Sequence, residues 1–195
     1  EQMLEEQMKG EAFVRHRQVF EGFNGLKSQR MRFPQVQAQL RAYQQEGVKW
    51  INYLYEKNLG GCLADDMGLG KTLQTIAMLA RIYPKTKEPT LIVMPRSLLF
   101  NWQNEIQRFA PQLTTYTYYG IQRDMSQALE SQLVLTTYAV LRNDVETFCK
   151  QSFHYVILDE SQNIKNLASQ TTQAVMLLHT KHRLALSGTP IENNL

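Results

Sequence analysis

The chain has 195 residues, 43% of them hydrophobic and 20% charged, with a net charge of +3. That length holds one substantial core plus an extension, and the balance is that of a globular protein rather than a disordered or fibrous one. No apolar run reaches bilayer-spanning length, no secretory segment stands at the N-terminus, and two cysteines and four histidines lack metal-site spacing, which argues against membrane, secreted and zinc-site classes and predicts an intracellular protein.

Residues 1–34 mix charged and glutamine residues with apolar Met3, Leu4, Met8, Phe13, Val19 and Phe20 at loose helical spacing, then lapse between Gly22 and Pro34. They predict a helical N-terminal extension and linker ahead of a main domain over 35–195. From Leu40 an amphipathic helix sets Leu40, Tyr43, Val48, Ile51, Leu54 and Tyr55 on one face and stops near Asn58-Leu59-Gly60-Gly61. Apolar residues up to Ala64 then lead into Asp65-Asp66-Met67-Gly68-Leu69-Gly70-Lys71-Thr72 and a run of helix formers to Ile82, a strand, loop and helix. Strands follow at Leu91–Met94, Thr114–Tyr119, Gln132–Thr136, Phe153–Leu158 and Arg183–Ser187. Between them, helices are expected from Pro95-Ser97 to Phe109, over Ile121–Glu130, largely over Val140–Gln151, and over Gln170–His179. The alternation predicts an α/β fold of three layers, a mainly parallel sheet with helices on both faces, with ligands beyond the carboxyl ends of the strands.

Three segments at such strand ends carry chemistry. Gly68 and Gly70 allow left-handed backbone angles and a close approach of N–H groups to an anion at a helix N-terminus, where Lys71 can reach terminal phosphates and the Thr72 hydroxyl can ligate Mg²⁺. A strict phosphate loop has glycine where this chain has Asp65. Asp159-Glu160 leaves the buried strand ending at Leu158; paired with the loop, Asp159 would hold the metal ion and Glu160 would polarise the water that attacks the γ-phosphate. Ser187-Gly188-Thr189-Pro190 leaves the last strand as a constrained hydroxyl turn that can contact the acidic segment's next turn.

Taken in order and spacing, LRAYQQEGVKW, LADDMGLGKT, LIVMPRSLLFNWQNE, LTTYAVLRND, VILDESQNIKN and LALSGTPIENNL resemble the nucleotide-side motifs of superfamily-two helicases, and their wording is similar to that of the SWI/SNF-type DNA-translocating ATPases, bacterial members included. The resemblance covers about residues 36–195 and implies the first of two RecA-like P-loop lobes, in a family that carries aspartate at the place of Asp65. It implies that Gln44 reads the adenine edge, with Arg41 and Tyr43 shaping its pocket, and that Asp66, Met67, Gly68, Leu69, Gly70, Lys71 and Thr72 hold phosphates and Mg²⁺. Asp159 and Glu160 take the metal and water roles, and Gln162, Ser187, Gly188 and Thr189 couple hydrolysis to DNA movement. Pro95, Arg96, Ser97, Asn101, Trp102, Thr136, Thr137 and Tyr138 fall where the family lays its first lobe along a DNA strand, with Trp102 and Tyr138 equally readable as core; Lys165 and Asn166 are further phosphate-contact candidates. The acidic box reads Asp-Glu-Ser-Gln, so Gln162 stands where a histidine is usual; it can bridge by hydrogen bonds but cannot titrate.

The resemblance therefore implies an ATP- and Mg²⁺-using, DNA-dependent ATPase that moves on duplex DNA and remodels protein–DNA complexes, with a second lobe of the same parent and a DNA-bound protein as partners and no membrane partner. Its expected location is the bacterial cytoplasm at the nucleoid, or the nucleus of a eukaryote. Without the second lobe's arginines, worth on the order of a thousandfold or more in related phosphoryl transfer, this segment alone is expected to be nearly inactive. The rival readings are a strand-separating helicase and, for the segment itself, a nucleotide- and DNA-binding module without turnover.

Overall fold

A computed structural model describes residues 36–66, 68–83, 85–164 and 166–188. Among these, the strands β1 (Gly61–Leu63), β2 (Thr90–Met94), β3 (Thr115–Thr117), β4 (Leu133–Thr137), β5 (Ser152–Leu158) and β6 (His179–Leu186) form one sheet in the order β1-β6-β5-β2-β4-β3. Every neighbouring pair is parallel. The helices are α1 (Ala42–Glu56), α2 (Lys71–Ile82), α3 (Leu99–Phe109), α4 (Met125–Leu129), α5 (Tyr138–Asn143), α6 (Val145–Cys149) and α7 (Gln170–Met176). None is long and apolar enough to cross a membrane. The extension expected over residues 1–34 lies outside the described residues.

The central strands β2, β4 and β5 are buried along their length, Ser152 excepted, and mostly apolar, because helices cover both faces. On one face Ile92, Met94, Leu135, Ile157 and Leu186 pack under α1, α2 and α3 through Ile51, Ile76, Leu79, Trp102 and Ile106. On the other, Leu91, Val93, Val134, Phe153 and Val156 pack against Ala128, Leu141, Phe148 and Val175 of α4 to α7. The expected three-layer α/β architecture is therefore the observed one.

The boundaries differ from expectation where side chains compete with the backbone pattern. α1 opens at Ala42, and Tyr43, expected on its apolar face, is exposed. Asp124 caps α4 by accepting from the Ser126 amide at 2.8 Å, so the helix starts there and leaves Ile121 in solvent. The helix expected over Val140–Gln151 is broken in two at Asp144, whose carboxylate accepts from Arg123 Nη2 at 2.9 Å and from the Tyr118 hydroxyl at 3.1 Å. β3 is shorter than Thr114–Tyr119, as befits an edge strand, and β6 begins at His179 rather than Arg183. The first half of β6 pairs only with β5, since β1 reaches no further than Leu184 to Leu186; its polar residues therefore hide the strand from a pattern search.

Candidate nucleotide-binding site

Parallel pairing brings three distant segments to one edge. Leu63 lies opposite Leu186 and Leu158 opposite Ala185, so the chain leaves β1, β5 and β6 side by side, and the Ser187 amide donates to the Leu63 carbonyl at 3.1 Å. Beyond β1, Gly68 and Gly70 have φ of 84° and 78°, the left-handed region that a side chain disfavours. Gly70 is also crowded, since a Cβ there would lie 2.6 Å from Gln44 Nε2. It caps α2, so Lys71 and Thr72 form that helix's first turn, where free amides attract an anion.

Lys71 turns back onto the start of its own loop. Lys71 Nζ donates to the carbonyls of Asp65 at 2.6 Å and Asp66 at 3.1 Å. Gln44, buried at the start of α1, accepts from the Arg41 amide at 2.9 Å and donates to the Leu69 carbonyl at 3.3 Å. Among the described residues one N–H and one lone pair of its amide remain, the donor–acceptor pair that an adenine edge requires. Arg41 and Tyr43 stand exposed beside it. Met67 and Thr189 lie outside the described residues.

Asp159 is 6% exposed, and each of its polar groups is held. Trp102 Nε1 donates to Oδ2 at 2.7 Å, the Glu160 amide to Oδ1 at 2.8 Å, and the Tyr138 hydroxyl to the carbonyl at 2.7 Å. Burial raises its carboxyl above the usual aspartate value; the Trp102 and Glu160 N–H groups oppose this, the Glu160 charge adds to it, and the Lys71 ammonium lowers it again. The lysine of one segment thus acts on the acid of another. Glu160 sits at φ 49°, a left-handed angle unusual for a residue with a side chain. Its carboxylate accepts a short bond from Gln162 Nε2, and Gln162 Oε1 accepts from the Ser187 hydroxyl at 3.1 Å. Ser187, Gln162 and Glu160 therefore form a hydrogen-bonded line from the end of β6 to the acidic pair, with Gly188 following half-exposed.

The candidate DNA residues divide by burial. Arg96 and Ser97 are exposed on the turn before α3, with the Arg96 guanidinium over the Tyr119 ring at 5.7 Å. Asn101 is exposed and donates to Glu105 at 2.9 Å; Asn166 is exposed and its side chain accepts from the Ala168 amide at 3.0 Å. Lys165 lies outside the described residues. Thr136 and Thr137 have no side chain to offer a DNA strand. Thr136 is 0% exposed and donates to the Tyr118 carbonyl at 2.9 Å, while Thr137 is buried and caps α5 by accepting from the Val140 amide. Trp102 and Tyr138 are likewise interior, and their polar ends point to Asp159. That bond was not legible in sequence, because helical spacing with Leu99 and Ile106 marks Trp102 as inward but does not say what its N–H meets. Gln74, fully buried behind the loop, was missed for the same reason.

A parallel αβα sheet with a glycine loop, lysine and acidic pair at its carboxyl edge defines a RecA-like nucleotide-binding lobe. The sequence profile of the SNF2-related domain matches residues 43–195. The chain belongs to that family. It is 47% identical over 161 residues to an uncharacterized ATP-dependent helicase of Mycoplasma genitalium, covering 80% of this chain and 16% of the relative. It is 39% identical over 171 residues to the helicase SWR1 of Eremothecium gossypii, covering 83% of this chain and 12% of that protein. Among solved structures it is similar to the SWI2/SNF2 ATPase core of Sulfolobus solfataricus in complex with double-stranded DNA, with a TM-score of 0.79 and 40% identity over 85% of this chain and 35% of the other. The chain thus spans a minor part of the length of the relatives it matches.

Proposed function

We propose that this chain is the ATP-binding lobe of a DNA-dependent ATPase whose parent moves along duplex DNA and remodels protein–DNA complexes. The observation that carries the reading is the hydrogen-bonded line from Ser187 through Gln162 to Glu160, at the same sheet edge as Lys71 and Asp159. It gives the segment after β6 a direct route to the acid that handles the attacking water.

The donor set suits Mg²⁺ with ATP. Asp159 is a buried carboxylate whose charge is penalised by burial and by Glu160 and only partly offset by an indole, a peptide N–H and the Lys71 charge, and a cation would remove the remaining penalty. Thr72 and Asp159 would hold the ion, which would draw charge from the phosphates. Lys71, released from the Asp65 and Asp66 carbonyls, meets the β- and γ-phosphates. The amides around Gly68 to Thr72 cradle the anion, Gln44 orients the base, and Glu160, fixed by Gln162, orients water in line with the γ-phosphate. Arg96 and Ser97, exposed at the start of α3, meet the DNA backbone, and a second lobe of the parent completes the site.

The test is ATP turnover by the complete parent and by this segment, each with and without duplex DNA. The parent should be stimulated by DNA and should displace a third strand from duplex DNA without unwinding it, while the segment should bind nucleotide and turn over very slowly. Turnover by the segment close to that of the parent would refute the division of labour, and duplex unwinding would favour a strand-separating helicase.

A further inference from the structure

Asp65 is a carboxylate where a strict phosphate loop has glycine, and a negative charge beside a triphosphate repels it. The structure shows what holds that charge. Gln74, one turn into α2 and 0% exposed, donates its Nε2 to Asp65 Oδ2 at 3.2 Å and, at the long limit of 3.5 Å, to the Leu69 carbonyl. One carboxamide thus touches the loop at both ends, and Leu69 is the carbonyl that Gln44 also grips from α1.

The other half of the amide is equally informative. Gln74 Oε1 is buried with no hydrogen-bond partner among the described residues, and it lies against the backbone of Gly47 in α1, where a Cβ would stand 1.8 Å away. Turning the amide over would set two acceptor oxygens, Gln74 Oε1 and Asp65 Oδ2, against each other, so Asp65 fixes its orientation. A residue needed only to fill space would be leucine or methionine, which bury no orphan acceptor. Among the described residues, the atoms that a Cβ at Gly47 would crowd are those of this side chain.

We infer that Gln74 is a positioning residue of the nucleotide site: it clasps the loop from Asp65 to Leu69, keeps the Asp65 carboxylate turned toward α2 and away from the incoming phosphates, and depends on Gly47 for the room to do so. This rests on the reading of the loop as a nucleotide site. An aspartate at 65 and a glutamine at 74 are then one device, and neither works without the other.

The experiment measures binding of a fluorescent N-methylanthraniloyl ATP, with Mg²⁺, to the complete parent protein and its variants. Gln74→Glu, which sets two carboxylates face to face, should weaken binding by roughly tenfold or more, the effect of turning a charge-assisted hydrogen bond into a like-charge contact. Adding Asp65→Asn, whose amide can donate to Glu at 74, should recover most of that loss, a rescue that mere packing does not predict. Gly47→Ala leaves the glutamine in the sequence but drives its head off the loop, and should also weaken binding. Where Gln74→Glu does not fold, Gln74→Met, which keeps the length and removes the polar head, carries the test with circular dichroism as the control. Unchanged binding in folded Gln74 and Gly47 variants, or a double variant no better than Gln74→Glu, overturns the inference. An unaltered parent that does not bind the probe overturns the nucleotide reading itself, and the clasp with it.

Discussion

Replacing Trp102 with phenylalanine removes a single group from the site, the indole N–H that donates to Asp159 Oδ2 at 2.7 Å. The acceptor is a carboxylate that is 6% exposed, so water does not replace the lost donor freely. A hydrogen bond to a charged group is worth about 1.5–3 kcal/mol. At roughly 1.4 kcal/mol per tenfold, that is about a 10- to 100-fold change in how readily Asp159 stays ionised and receives a cation. The sign is fixed, because burial already raises the Asp159 carboxyl and the indole opposes it; losing the indole raises it further. Trp102→Phe should therefore need more Mg²⁺ for half-maximal binding of ATP, and the acid limb of that binding should move to higher pH, while binding of ATP in the absence of metal changes little. The assay is a Mg²⁺ titration of nucleotide affinity at several pH values, with urea unfolding run beside it, since a buried indole lost from the core also lowers stability by roughly 1–3 kcal/mol. A variant with unaltered Mg²⁺ demand at every pH would refute the claim that this tryptophan holds the metal-binding acid.

Other outcomes follow from the same geometry. Gly70→Ala places a Cβ 2.6 Å from Gln44 Nε2 at a φ of 78°, a strain of about 1–2 kcal/mol from the backbone alone; nucleotide binding should fall at least roughly tenfold with the helical circular dichroism retained. Ser187→Ala breaks the bond to Gln162 Oε1 and should lower kcat of the parent while leaving the nucleotide Kd close to normal, as read by DNA-stimulated turnover against equilibrium binding. His154 and His182, near the opposite end of the sheet beside Tyr55, are held below the usual histidine value, first by burial. The unfolded chain takes up protons near pH 6.5 that the folded one refuses, so their contribution to stability is whole above about pH 6.5 and is lost as pH falls through the depressed folded values; the urea midpoint should be lower at about pH 5.5 than at about pH 7.5, and His182→Gln should narrow the gap. Arg96→Glu should weaken duplex binding and reduce its salt dependence by about one ion, and unchanged affinity would remove Arg96 from the DNA surface.

Which parts of this site could be read from the sequence depends on how local their causes are. The end of β5 was legible because Val156-Ile157-Leu158 is an apolar run followed at once by Asp159-Glu160, and the ends of β1 and β6 were legible to within a residue, at Ala64 and Ser187, because short apolar stretches there give way to polar turns. The left-handed glycines were legible because glycine adopts that backbone without the steric cost a side chain adds. The break at Asp144 was not, since it depends on Arg123 and Tyr118 arriving from another part of the chain. Nor was the burial of Thr136 and Thr137, whose hydroxyls are satisfied by a strand neighbour and by a helix cap and so leave nothing for a DNA strand. Trp102, Tyr138 and Gln74 belong to the same group. Periodicity places such residues inside, and only the fold decides which polar atom their donors face.

The claim on which the rest depends is that Lys71 and Asp159, 88 positions apart by their numbers (159 minus 71), serve one metal-bound triphosphate. A crystal structure of the chain with Mg²⁺ and a non-hydrolysable ATP analogue tests it most directly. Lys71 Nζ should have left the Asp65 and Asp66 carbonyls for the terminal phosphates, with the ion between Thr72 and the Asp159 carboxylate and Trp102 still bonded to it. An analogue seated elsewhere, or one bound at the loop with Lys71 still on the Asp65 carbonyl, would contradict the account.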